Sequence, residues 1–546
     1  MGCLRKAMGR TPGCGARRVA GGLIAAVALL LAGAGLGAAI AAATVPHAAP
    51  VPPGRTVTVS AEQARALPDE TVAVGRVPHG RRRPAGFLSM SLQYRTVGQW
   101  GRSVSPVLVR LVDQLDPVGG EILRLGGQGG DRVWWPVPHV HRPGGVSDTL
   151  SPAWIRAARR LATALRARYA LQVNLEANSE LIARVEADHL YRGLGRSRIA
   201  AWEIGNEPEL YRTIPWYWKL DGRALPWYAD RGTPLYARGP GYGPAQFLAQ
   251  WQAWERLLPG GIPLAGPDFV FTTWLSSFAG ELSRHSRLRT FDVHAYPVIK
   301  CVTNPASFKY PSIPHLLALG ASRNLLAGVR GYIGRAHAVG ARFVLDEVGP
   351  DSCGGNAGIS NSMAAALWAI DMLFEMDRAG VDAVDLHSLP GTVNALFDVS
   401  RRHGRWRARV LPFYLGSLVF AEAAPPGSRL LWTSDPDEAA LRSWATLGGA
   451  GVVRVALVND GGPRVVTVRP RTRGAATAQL EVLRAPGAGA THGFVLAGRH
   501  EGTTDTGDVG PLRDELVARR HGAYRFVMRG ASAAVLTLSA PATTAR

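Results

Sequence analysis

Lysine is scarce in this chain. Only Lys6, Lys219, Lys300 and Lys309 occur, so the net charge of +21 is almost wholly arginine. The arginines are scattered, apart from short clusters such as Arg81-Arg82-Arg83 and Arg519-Arg520. A nucleic-acid protein concentrates its cations, and no nucleic-acid-binding motif is present, so nucleic acid is not an expected partner. Two readings of the basic surface remain, a solvated face and a site for an anionic ligand. Cysteine is scarce as well, with four residues, which excludes a small disulfide-built scaffold. No internal repeat of solenoid or propeller period occurs. Gly and Pro are frequent but fall in no register, which excludes a collagen-like chain. No motif calls for a metal or a cofactor, and none is expected.

What is present is a long apolar-rich chain. Its 546 residues are 47% hydrophobic, enough for a large core and more than one folding unit. Residues 1–50 read as a targeting segment rather than fold. Arg5, Lys6, Arg10, Arg17 and Arg18 precede an uncharged apolar run from Val19 to Val45. A cleaved signal peptide and an uncleaved N-terminal membrane anchor both fit, because the run is long enough to span a bilayer. Either reading puts the rest of the chain outside the cytoplasm, secreted or tethered to the membrane. Residues 51–85 read as a linker with one strand, Thr56–Ser60, that could join a β domain.

From residue 86 to 424 strand and helix signals alternate. Candidate strands are Gly86–Tyr94, Glu121–Gly126, Leu171–Glu176, Ile199–Asn206, Ile262–Pro267, Thr290–Tyr296, Arg342–Val348 and Asp382–His387. Each is short and apolar, as strands buried on both faces are. Ser151-Pro152 supplies a helix start before Ala153, and Gly380 a helix end. Eight strands each followed by a helix predict a (β/α)8 barrel. The competing doubly wound sheet lacks its phosphate loop, since Gly126-Gly127-Gln128-Gly129-Gly130 leads into no helix. Residues 425–546 change to short β-type runs between Gly, Pro and Asp, which predicts a β-sandwich.

Catalytic residues of such a barrel sit at the C-terminal ends of its strands. Strand four delivers Asn206-Glu207-Pro208 and strand seven Asp346-Glu347 to the same rim. Two facing carboxylates are the equipment for glycosidic cleavage, one protonated and one ionised. Asp346 competes with Glu347, but alternation is expected to turn it away from the lumen. Structural ion pairs at the rim are the alternative for either Glu taken singly.

Trp202–Glu209 (WEIGNEPE) resembles the acid/base segment of the large clan of retaining (β/α)8 glycosidases. Leu123–Pro136 (LRLGGQGGDRVWWP), Phe291–Pro297 (FDVHAYP) and the Ser352-Cys353-Gly354-Gly355 loop with Gly358-Ile359-Ser360 are similar to segments of glycoside hydrolase family 79. That family is the β-glucuronidase and heparanase group, and the resemblance spans about residues 86–423. It implies Glu207 as acid/base, Glu347 as nucleophile and Asn206 as the partner of the sugar 2-hydroxyl. Tyr296 would steady the nucleophile, and Gly354 would offer its backbone N–H to a substrate carboxylate. His294, Asn394 and Asp131 join them as candidate substrate contacts, although for His294 a core histidine bonded to backbone is an equal reading. Cys301 and Cys353 fall in the loops after strands six and seven, where a disulfide between them is expected, two separate buried thiols being the alternative. Trp134, Trp135, Trp216, Trp218 and Trp227 are candidate sugar platforms or packing residues.

Departures concern the sugar more than the mechanism. Val348-Gly349-Pro350-Asp351 is less polar than the family pattern, Gln128 stands in place of Asn, and Asn394 stands near the place of a carboxylate-binding Tyr. Three functions therefore stay open: a retaining glycosidase on β-linked glucuronides or acidic glycans, a clan relative on a neutral β-glycoside, and a non-catalytic glycan-binding envelope protein.

Overall fold

A computed structural model describes residues 55–539, except 285–286, 435–439, 473–474 and 511–514. The targeting segment read at residues 1–50 lies outside the described residues. No helix among the described residues is long and apolar enough to cross a membrane.

Eight parallel strands close into a barrel. In chain order they are β1 (Leu88–Leu92), β2 (Ile122–Leu125), β3 (Arg168–Val173), β4 (Ile199–Ile204), β5 (Leu264–Phe269), β6 (Leu288–Ala295), β7 (Arg342–Val348) and β8 (Ala383–His387). Neighbours in sequence are neighbours in space, and Leu264 against Trp202 closes the β4–β5 seam. Each strand overlaps an expected one, with ends moved by a few residues, because an apolar run marks a buried strand better than its boundary. Helices cover the barrel. Ser151 caps Pro152–Leu165 by accepting the Trp154 amide, and Gly380 ends Met363–Ala379 in the left-handed conformation.

The second domain draws strands from both ends of the chain. Residues read as linker form an eleven-residue strand, Asp69–His79. It runs parallel to Arg464–Pro470 and antiparallel to Arg429–Thr433, inside a twelve-stranded, mostly antiparallel assembly. Val72 and Val74 bury into that domain's core. Thr56–Val57 does pair there, parallel to Leu516–Val517. The two domains share a packed interface. Phe374 stacks on Trp444 at 5.2 Å, and the Trp444 indole N–H donates to Asp371. That contact fixes helix Met363–Ala379, and with it the chain leading back from β7, against the β domain.

Candidate active site

The site grows from the C-terminal ends of β2, β4, β6, β7 and β8. Glu207 follows β4 and takes a left-handed backbone, φ +48° and ψ +52°. Pro208 disfavours the right-handed helical conformation at the preceding residue. The Glu207 amide donates to the Asp268 carbonyl at 3.0 Å, which anchors the turn. A strained, pinned backbone at a strand end is a mark of functional sites. Glu207 then reaches the cavity with its side chain 16% exposed, against 7% for Glu347.

Glu347 sits at the end of β7 and is held on both oxygens. Oε1 accepts the Tyr296 hydroxyl at 2.6 Å, and Oε2 accepts the Arg124 guanidinium at 2.8 Å. His387 Nδ1 lies 2.6 Å from the same Tyr296 oxygen. Burial works against ionisation of Glu347, but His387, His294, Arg124 and Tyr296 outweigh it and hold the carboxyl at about 2. Burial itself keeps His387 below its ordinary range.

Asp346 does not turn away from the lumen. β7 carries one extra residue there: Val293 pairs with Leu345, yet His294 pairs with Glu347. This bulge turns two consecutive acids inward, against simple alternation. Asp346 lies beneath the floor, 3.2 Å from Arg124 and 3.3 Å from His294 Nε2. His294 thus bridges two carboxylates, its Nδ1 being 2.8 Å from Glu207 Oε1. Burial opposes its charge, but Asp346 and Glu347 overcome it and keep the imidazolium well above its usual range. A histidine satisfied by backbone is ruled out by these partners.

Arg124, fully buried, is the hub of the floor. It touches Glu203, Asp268, Asp346, Glu347 and the Asn206 Oδ1. More carboxyls than cations converge here, so they cannot all ionise. Burial pushes Asp268 and Asp292 well above the carboxylate range and raises Glu203, whereas Asp346 and Glu347 are lowered. Arg124 and His294 are the cations that favour the ionised form of Asp346 and Glu347. Sequence reasoning missed Arg124, although an arginine inside the apolar run Ile122–Leu125 was the available signal. It missed His387 too, which ends β8.

One oxygen of Glu207, one of Glu347 and one ring nitrogen of His294 all lie within 4.8 Å of one another. A retaining pair has its carboxyls ~5–5.5 Å apart, and an inverting pair ~6.5–9.5 Å. The facing oxygens of Glu207 and Glu347 are closer than the gap an inverting pair leaves for its water. Glu207, His294 and Glu347 open into a cavity of about 1380 Å³, which Tyr296, Asn206, Gln128 and Gly354 also line. With its Oδ1 committed to Arg124, Asn206 has its Nδ2 left to offer. The Gly354 amide donates no hydrogen bond among the described residues.

Other expectations need correction. Asp131 does not line the cavity. Its carboxylate is buried and consumed by the amides of Leu175, Glu176 and Asn206 and by the Tyr211 hydroxyl. It ties β3 to β4 and positions Asn206 rather than touching substrate. Asn394 is buried as well, donating to the Asp351 carbonyl, so it holds the loop after β7. Cys301 and Cys353 are not bridged by a disulfide. Their side chains lie in hydrogen-bond contact, and that contact pushes the Cys353 thiol up. Among the tryptophans, Trp218 and Trp227 line the cavity. Trp134 and Trp216 pack in a small core beside it, and Trp135 stacks on His189 at 4.1 Å.

No protein-family model matches this sequence, nor does any curated protein sequence. Solved structures do resemble it. A 4-O-α-L-rhamnosyl-β-D-glucuronidase from Fusarium oxysporum 12S aligns over 86% of this chain and all of its own, at 16% identity and a TM-score of 0.61. A family 51 arabinofuranosidase from Xanthomonas axonopodis pv. citri aligns over 86% of this chain and 99% of its own, at 13% identity and a TM-score of 0.55. A family 44 xyloglucanase from Paenibacillus polymyxa aligns over 87% and 100%, at 9% identity and a TM-score of 0.55. At such identities the likeness is one of fold. It covers the barrel together with its β domain.

Proposed function

We propose that the protein is a retaining glycoside hydrolase that works by double displacement, with Glu347 as nucleophile and Glu207 as acid/base. The observation that carries this is the Glu207–His294–Glu347 group, with its short spacing and its tightly held Glu347 carboxyl. Glu347, held at about 2, is ionised across the working range and can attack an anomeric carbon. The His294 ring nitrogen fixes Glu207 Oε1 as a hydrogen-bond acceptor, which leaves Oε2 to carry the proton to the leaving oxygen. Departure of that group leaves a glycosyl ester on Glu347. Glu207, now a carboxylate, then deprotonates the water that releases the sugar.

The substrate class proposed is a β-linked glucuronide or acidic glycan. Support comes from the resemblance to family 79, from the uncommitted Gly354 amide, and from the likeness in fold to a 4-O-α-L-rhamnosyl-β-D-glucuronidase. A neutral β-glycoside is the second reading. It is favoured by Asn394, which is spent on the Asp351 carbonyl instead of reaching the substrate. The basic, then apolar, first fifty residues support export, with the protein secreted or tethered. The test is a panel of aryl β-glucuronide, glucoside, xyloside and galactoside. Turnover fastest on the glucuronide supports the reading. Equal or faster turnover of the glucoside replaces it with the neutral-sugar reading, and inertness on the whole panel removes the catalytic one.

A further inference from the structure

Lys309 is a cation in the cavity wall that no carboxylate neutralises. It lies in the loop between β6 and β7 and is half-buried. Its Nζ donates to the carbonyl of Tyr296 at 2.5 Å, the residue whose hydroxyl steadies Glu347. That bond uses one of the three ammonium donors, and no ion pair involves Lys309 among the described residues. The Phe308 ring lies 5.6 Å from the ammonium. Burial alone acts on the amine and pulls its pKa down. Desolvating a cation without an opposite charge is costly, and a ligand anion removes that cost.

The loop that carries Lys309 is stitched to the one that carries Gly354. Ile299 donates its amide to the Lys309 carbonyl at 2.9 Å. Next to it, the Lys300 amide donates to Ser352 Oγ, and the Lys300 ammonium donates to the Gly355 carbonyl at 2.8 Å. Val298 and Asp351 pair as a parallel bridge. These bonds set Lys309 and the unused Gly354 amide along one edge of the cavity, beside Tyr296. Two arginines of the same wall have partners of their own. Arg95 pairs with Asp148, and Arg132 donates to the Trp216 carbonyl.

We propose that Lys309 is the charged half of an anion subsite, with the Gly354 N–H as its neutral half, and that it takes the carboxylate of the uronosyl residue whose anomeric carbon faces Glu347. This rests on the glycosidase reading and adds a specificity-determining residue to it. The ammonium supplies a charge-assisted hydrogen bond that a 6-hydroxymethyl group cannot match.

The experiment compares wild type, Lys309→Met and Lys309→Arg on aryl β-glucuronide and aryl β-glucoside. The ratio of the two kcat/KM values is expected to fall ~10–100-fold in Lys309→Met, mostly through the glucuronide KM, and to recover in part in Lys309→Arg. In wild type the glucuronide KM should rise at alkaline pH, as Lys309 loses its proton, with no matching rise for the glucoside. A ratio unchanged by Lys309→Met, or both substrates losing equally, overturns the subsite and makes Lys309 a strand-end brace. Inertness of wild type on both substrates would strike the glycosidase reading instead. Calorimetric titration of D-glucuronate onto wild type and Lys309→Met still decides the subsite then: weaker binding to the variant upholds it, and equal affinity overturns it.

Discussion

Tyr296 gives its hydroxyl hydrogen to Glu347 and sits 2.6 Å from His387 Nδ1, which can donate to it in turn. The Tyr296→Phe variant keeps the ring and removes one of the donors that hold Glu347 ionised. Its kcat should fall ~10–100-fold while KM moves less than ~3-fold, because the lost bond acts on the nucleophile and not on substrate binding. Since that bond lowers the Glu347 carboxyl, its loss should also shift the acid limb of the kcat/KM profile upward. An unchanged profile with an unchanged kcat would contradict this role. At this scale Glu207, Glu347 and Asn206 were legible because polar residues at the ends of apolar strands are exposed by the contrast. Asp346 was misread because the rule of alternation cannot see a bulge. Arg124 was overlooked because one arginine among many in a basic chain carries no contrast of its own. His294 could be placed on a strand face but not given its partners, which come from β4 and β7.

Between elements, Asp131 is the knot. The short helical turn Gly130–Arg132 drops its carboxylate between the ends of β3 and β4, where three backbone amides and one phenol converge on it. Asp131→Ala leaves those buried donors without an acceptor, at about 1–3 kcal/mol for each group left unsatisfied. The expected outcome is a thermal midpoint lower by roughly 5–10 °C, and a weakened substrate KM as Asn206 loses its register. A midpoint within ~1 °C of wild type would show that the knot is dispensable. The sequence made Asp131 look like a ligand residue because its acidic side chain follows a glycine run at the rim. Only tertiary structure shows its oxygens already taken. The eight barrel strands were readable because burial on both faces writes an uninterrupted apolar run. Asp69–His79 was not, because Gly75 and Pro78 and its charged ends read as linker, and its pairing partners, Arg429–Thr433 and Arg464–Pro470, lie at the other end of the chain. Such a strand is recognised by its partners and not by its own pattern.

Across the whole molecule, many buried carboxyls are pushed up by desolvation. Glu121, Asp351 and Glu501 rise to about 7, Glu176 and Glu209 to about 8, and Asp377 and Asp460 to about 6. Unfolded, each titrates near ~4. Between pH 4 and 8 the folded protein therefore binds more protons than the unfolded one, so stability falls as pH rises. His387, lowered by burial, opposes this only below its ordinary range, and His294, raised, adds to the fall above it. The thermal midpoint should accordingly be higher at pH 5 than at pH 8, by ~4 °C or more; a midpoint that rises with pH across that window would refute it. The fold class was legible from the count of alternating strands and helices, whereas the share of the β domain contributed by the N-terminal segment was not. The reaction proposed for this scaffold turns on Glu347 forming a covalent bond that water then breaks from the same face. The most direct test is the configuration of the first sugar released from an aryl β-glycoside, followed by NMR before mutarotation. The account predicts the β anomer, with Glu347→Gln nearly inert and Glu207→Gln rescued by azide to a β-glycosyl azide. Release of the α anomer would mean that water attacks directly, and Glu347 would not be a nucleophile.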